Sequence, residues 1–288
     1  VLTRDFRWNT TLTWSKNDNK ILSLAEGADE NQVISTVGTA SIIGRVGGTT
    51  GDLWGYKLVR DPEGNVVIGD NGLPEQADEI EYVGTAYADW KAGWYNEFSY
   101  KGFKLGILLD GQVGGTIYSM SFHKMMEQGK LTQSLNGRLL GTEYYMDASD
   151  PRIAAAGYTP QSGMYMIAPG VVRNDDGTFS PNTKVVTIES FYKEYYRRAN
   201  VETNSFDASF LKIREIRLEY ELPKKVLEKS PFSKASIAVY GRNLWCFTDY
   251  PLFDPESVAL DGSSMVSGIE TGSLPTTRTF GFNLNLTF

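Results

Sequence analysis

Six stretches of this 288-residue chain alternate apolar and polar side chains with a period of two, and the apolar faces named below carry no Asp, Glu, Lys or Arg. The ending "RTFGFNLNLTF" shows the pattern plainly: Phe280, Phe282, Leu284, Leu286 and Phe288 alternate with Gly281, Asn283, Asn285 and Thr287. Such alternation specifies a strand with one apolar and one wet face. "FRWNTTLTW" sets Phe6, Trp8, Thr10, Leu12 and Trp14 against Arg7, Asn9, Thr11 and Thr13. "DWKAGWYNEFSY" sets Trp90, Ala92, Trp94, Phe98 and Tyr100 against Lys91, Tyr95, Glu97 and Ser99, and "FKLGILLDG" follows with Phe103, Leu105, Ile107 and Leu109 against Lys104 and Asp110. "SIAVYG" adds Ile237 and Val239. In "SFLKIREIRLEYELP" the apolar parity changes between Ile213 and Ile216, so a bulge near Arg214-Glu215 is expected to restore the face. Strands of about 9–11 residues also span a bilayer at a tilt of about 45°. A soluble sandwich and a membrane barrel both exclude charge from one face, so the strands alone leave the two open.

The connections separate them. "KG" joins Tyr100 to Phe103, and "PKKVLEKSPFSKA" lies between Leu222 and Ser236, whereas 17–86, 119–208 and 250–275 are long. Strict alternation of short turns and long loops is the habit of outer-membrane barrels. Compact soluble domains seldom carry structureless loops beyond about 12–15 residues.

Other function classes find little support. The net charge is −7 with no basic run, which argues against nucleic acid as a partner. No apolar run reaches the roughly 18 residues of a membrane helix. Cys246 is the only cysteine, so neither an intrachain disulfide nor a cysteine-based metal site is expected. His123, the only histidine, would have to serve any Ser-His-Asp or Cys-His arrangement; it is expected to be a solvated loop residue, and no catalytic motif surrounds it. "GRVGGTTGDLWGY", "RNDDGTF" and "RDPEGN" read as turns, since the first lacks a phosphate-loop ending and the second the glutamate that closes a calcium loop. No enzyme activity, cofactor or metal is expected. The start, "VLTRDF", has no initiator Met and no signal peptide, which suggests a preceding segment.

"DASFLKIREIRLEYELPKKVL", "ASIAVYGRNLWCFTDYPLFDPE" and "GSLPTTRTFGFNLNLTF" resemble the C-terminal end of SusC/RagA-type TonB-linked (TonB-dependent) outer-membrane proteins. "YADWKAGWYNEFSYKGFKLGILLDGQVGG" resembles the preceding hairpin, and "VGGTTGDLWGYKLVRDPEGNVV" one of the extracellular loops. The segment 120–205, with "ESFYKEYYRRANVE", is the least family-like. The resemblance implies an all-β fold: an antiparallel transmembrane β-barrel of about 22 strands, closed around an N-terminal plug, with long extracellular loops. It further implies the cell outer membrane of a Gram-negative bacterium, import of oligosaccharides, glycans or peptides, a SusD-like surface lipoprotein as lid, and energy from the TonB complex. About six strands cannot close such a barrel, so residues 1–288 are expected to be its C-terminal part, without the plug and earlier strands.

In that setting Phe280 to Phe288 would face outer-membrane lipid, and the terminal aromatic resembles a barrel-assembly signal. Trp8, Trp14, Trp90, Trp94, Tyr100 and Phe103 would form interfacial girdles. Lys91, Glu97, Lys104, Asp110, Arg217, Glu219 and Arg242 would face the lumen or plug. In the loops, Trp54, Tyr56, Tyr87, Tyr144, Tyr145, Tyr165 and Tyr250 have no lipid to meet; they would contact substrate or lid, or pack the loops. With Phe253 they make the loop wall a candidate interface for the lid. The alternative is a secreted or surface soluble β-domain that binds glycans through those loop aromatics.

Overall fold

The computed structural model describes residues 5–256, 259–261 and 264–288. The alternating segments form six long strands: β1 (Phe6–Ser15), β2 (Trp90–Tyr100), β3 (Phe103–Val113), β4 (Phe210–Glu221), β5 (Lys234–Phe247) and β6 (Thr279–Thr287). They pair in chain order, all antiparallel, in one six-stranded sheet. The β2–β3 turn is Lys101-Gly102 with φ of 45° and 88°, the two left-handed positions that a two-residue hairpin of matching twist requires. The expected bulge is present: the register shifts between Ile213 and Glu215 against both neighbours, leaving Arg214 as the extra residue relative to β3. Ile213 and Ile216 thereby share a face. β5 runs six residues beyond "SIAVYG", to Phe247. Its alternation is masked because Gly241 and Asn243 occupy apolar-side positions, and Asn243 takes φ 51° where the bulge is accommodated.

Register puts one apolar row across each strand pair: Leu12 beside Trp94, Phe98 beside Leu105, Ile107 beside Ile216, Leu218 beside Val239, Ile237 beside Leu284. This face is bare: Phe280 and Phe282 are 74% exposed, Val239 55% and Leu284 55%. Aromatic residues flank it on both sides. Near the short turns, Trp8 stacks on Phe98 at 5.9 Å and Phe103 meets Tyr220 at 4.4 Å. Near the long loops lie Trp14, Trp90, Trp245 and Phe247, all exposed. The 11 residues from Trp90 to Tyr100 cover about 33 Å along the strand, or about 25 Å of height at a 40° tilt, the height of a lipid-facing band. A small polar cluster sits within it. Asn96 is 5% exposed, and its Oδ1 accepts from Trp8 Nε1 at 3.1 Å and from Thr10 Oγ1 at 3.0 Å. Thr10 in turn accepts from Trp94 Nε1 at 2.9 Å, so the polar atoms satisfy one another.

The buried core lies in the long connections, which leave from one end of the sheet and fold as a unit. The first carries a four-stranded sheet (Gln32–Val37, Ala40–Gly44, Asp52–Gly55, Glu81–Thr85). The second carries helices α1 (Met120–Glu127) and α2 (Ile188–Tyr195), capped by Ser119 and Thr187. One cluster draws on all three connections: Ala40, Ile42 and Leu53, then Tyr118 and Val201, then Ile269. A larger one holds Ile68, Phe122, Met126, Met166, Val186, Ile188, Phe191 and Tyr192. The third connection is stapled by Glu270, which is 0% exposed and accepts from Ser119 Oγ at 2.6 Å, Ser121 Oγ at 2.8 Å and the N–H of Gly272 at 2.6 Å.

His123 departs from its expected place as a solvated loop residue. It lies in α1, 1% exposed, and donates from Nδ1 to the Tyr196 carbonyl at 2.6 Å. Phe122 and Met126 of the same helix are buried beside it, so a helical face carries it inward. "RDPEGN" and "RNDDGTF" are turns, with Gly64 at φ 88° and Gly177 at φ 81°.

Candidate functional site

The charged residues of the sheet stand on the face opposite the apolar row. Because β4 sits between β3 and β5, its polar side chains meet partners from both. Lys104 Nζ lies 3.4 Å from Glu219, which also accepts from Arg217 at 2.7 Å, and Arg242 Nε donates to Glu215 at 2.6 Å. Further round, Glu97 accepts from Asn9 Nδ2 at 3.2 Å and from Tyr95 OH at 3.3 Å. Lys91 is exposed on this face and lines a polar cavity of about 200 Å³ with Gln112, Thr116 and Glu256, where sheet meets loops.

The densest group gathers at the loop end of β4. Arg214, the bulge residue, places Nε at 2.9 Å and Nη2 at 2.6 Å from Asp110 Oδ2, and Nη2 also reaches Glu256 at 2.6 Å. Lys212 donates to Asp254 at 2.6 Å and pairs with Glu256. Lys212 is 4% exposed and Asp254 3%, so this is a buried pair with a bulge-directed guanidinium beside it. Burial pushes the Asp254 carboxyl up, but the Lys212 hydrogen bond and charge and the Glu256 N–H more than offset this, leaving it below its usual range. Asp110 was expected on this wall. Arg214 is expected only as part of the bulge, and Lys212, Asp254 and Glu256 are not among the expected wall residues. The parity of Leu211 and Ile213 already placed Lys212 on the polar face, but nothing local says that "DPE", some forty residues on, folds back over it.

The loop aromatics do not form one platform; none of the rings of Trp54, Tyr56, Tyr87, Tyr144, Tyr145 and Tyr250 stacks on another among the described residues. Trp54 is half-buried, with Tyr82 edge-on at 6.0 Å and the Arg45 guanidinium 5.1 Å over its ring. Tyr56 is half-buried in a bridge to Asn200. Tyr87 shares a 2.7 Å hydrogen bond with Thr50. Tyr144 packs on the α1–α2 cluster, and Tyr145 is half-buried beside it in sequence. Tyr250 is 4% exposed in a cluster with Ile117 and Ala208, and Tyr165 is 9% exposed and donates to the Thr159 carbonyl at 2.9 Å. Those two rings serve packing. Phe253 is 38% exposed.

A second cavity, of about 520 Å³, lies between α1 and α2, lined by Lys124, Glu127, Arg138, Met164, Ile188 and Lys193 among others.

No protein-family model matches the chain. Its whole length is 25% identical, over 316 residues, to TonB-dependent receptor P3 of Formosa agariphila, and 24% identical, over 314 residues, to TonB-dependent receptor P26 of the same organism. The chain spans 27% and 28% of those curated relatives. Among solved structures, the RagAB peptide importer in its closed-closed state matches all of the chain and 28% of its own, with TM-score 0.61 and 15% identity. The open-open state matches with TM-score 0.61 over 27% of that chain, at 15% identity. The SusC/RagA-like resemblance carried by the sequence motifs therefore extends along the whole chain, in sequence to TonB-dependent receptors and in fold to part of an importer.

Proposed function

We propose that this chain is the C-terminal part of the barrel of a SusC/RagA-type transporter in the outer membrane of a Gram-negative bacterium. The full protein imports oligosaccharides, glycans or peptides, with energy from the TonB complex and a SusD-like lipoprotein as lid over the loops. One observation carries the reading: a six-stranded antiparallel meander with a bare apolar face about 25 Å high, a charged opposite face, and all long connections at one end. In water each uncovered large apolar side chain forgoes about 1.5–3 kcal/mol of burial, a cost that lipid removes. The two sheet edges, β1 and β6, are open to strands of the rest of a barrel. The paired wall charges then line the lumen against the plug, where they position and do no chemistry.

The rival reading, a soluble glycan-binding domain, is weakened by Tyr250 and Tyr165, which are occupied in packing. Sucrose-gradient fractionation of the full-length protein separates the two. It is expected in the outer-membrane fraction and extractable only with detergent; recovery as a soluble protein without detergent would sink the transport reading.

A further inference from the structure

The cavity between α1 and α2 has a charge imbalance that its own residues do not resolve. Lys124 pairs with Glu127 at 2.9 Å, and Lys193 with Glu189 at 2.5 Å, both within their helices. Arg138 is the third cation on the wall, against only those two carboxylates. Its Nε donates to the Ser134 carbonyl at 3.1 Å, which fixes the plane of the guanidinium. No carboxylate lies within ion-pair distance of it among the described residues, and its two terminal nitrogens have no hydrogen-bond partner there. The charge of Arg138 nonetheless reaches Glu189: after the Lys193 hydrogen bond and charge, it helps to hold that carboxyl below its usual range. The first turn of α2, whose dipole is positive at that end, also lines the cavity. Met164, 42% exposed, supplies the apolar surface of the cavity, and Ile188 is buried beneath its lining.

A half-buried guanidinium with its fork free is built to receive a carboxylate bidentately. Its setting narrows the source. No aromatic ring lines the cavity among the described residues, so a sugar finds no face to stack on there, whereas the exposed Met164 suits an aliphatic side chain. The volume of about 520 Å³ is that of a small-ligand pocket. We infer that this cavity is a docking subsite for the terminal carboxylate of a short apolar peptide, anchored by Arg138 and seated on Met164. As a substrate subsite it rests on the import reading; as a binding site it does not.

Calorimetry on the full-length protein in detergent tests it without any energy source, so failure of import and failure of the subsite read out separately. The probes are trileucine, trileucine amide and trigalacturonate. Trileucine is expected to bind, and to weaken at least about tenfold on amidation or in Arg138→Gln, as loss of a charge-assisted pair implies. It should also weaken as salt is raised. Met164→Trp, which fills the cavity and leaves the guanidinium in place, should abolish binding with an unchanged melting temperature. Lys184→Gln, at the Asp70 pair and outside the cavity lining, should bind as wild type. Equal binding of the acid and the amide, wild-type affinity in either cavity variant, binding of trigalacturonate in preference to the peptide, or no peptide binding would each overturn the subsite.

Discussion

At the scale of single residues, two buried groups govern how the loops respond to change. Lys212 and Asp254 are desolvated together, and removing Asp254 leaves the buried Lys212 with Glu256 as its one remaining carboxylate. Asp254→Ala should loosen the third connection by about 1–3 kcal/mol, seen as faster proteolysis between residues 248 and 278, and Lys212→Met on the same background should recover part of it. Wild-type cleavage kinetics in Asp254→Ala would show that the pair holds nothing. His123 makes the loops acid-sensitive. Burial lowers its pKa below the ordinary value, and its Nε2 has no hydrogen-bond partner among the described residues, so the fold holds it neutral while the unfolded chain takes up a proton. Its contribution is therefore complete above about pH 6.5 and is lost as pH falls towards the depressed folded value. The Asp254 carboxyl, also depressed, adds a second loss below about pH 4. Melting of the loop unit followed from pH 7.5 to 5 should fall in the wild type and flatten in His123→Gln, which keeps a donor for the Tyr196 carbonyl. Parallel curves would assign the pH dependence elsewhere.

At the scale of the strand, facing is the quantity that matters. Lysine at Ile107, Leu218 or Leu284 would put a charge on the bare face, at a cost of about 2–4 kcal/mol near mid-bilayer, and should reduce the heat-modifiable assembled form on gels. Lysine at Thr11 or Asn283 stands on the polar face and should assemble normally. Equal effects in the two sets would reverse the facing proposed here. The bulge belongs to this scale as well. By inserting Arg214 it keeps Ile213 and Ile216 on one face and aims a guanidinium at Asp110 and Glu256, so one irregularity serves both sides of the sheet.

At the scale of the whole molecule, the long connections act as one body. A core drawn from all three, with the Glu270 staple, joins them at one end of the sheet, where the proposed lid would sit. A lid seated on it should bury more than about 2,000 Å² and survive extraction. Affinity purification of the full-length protein in mild detergent should bring down a stoichiometric lipoprotein; recovery of the transporter alone at low salt would count against a permanent lid.

The strands, their faces, the β2–β3 hairpin and the bulge were all legible in the residues, because period-two alternation and a "KG" turn are local properties that pairing only makes visible. The side of the sheet that carries Lys104, Asp110, Arg217 and Glu219 followed from the same parity. Tertiary structure decided the rest. Whether Tyr250 is exposed or packed, whether His123 is wet or buried, and whether Asp254 finds Lys212 depend on which distant segments close over them. Such contacts join positions tens to hundreds of residues apart, and no local pattern encodes them. A strand's facing is written in its neighbours in sequence; a loop's core is written only in its neighbours in space.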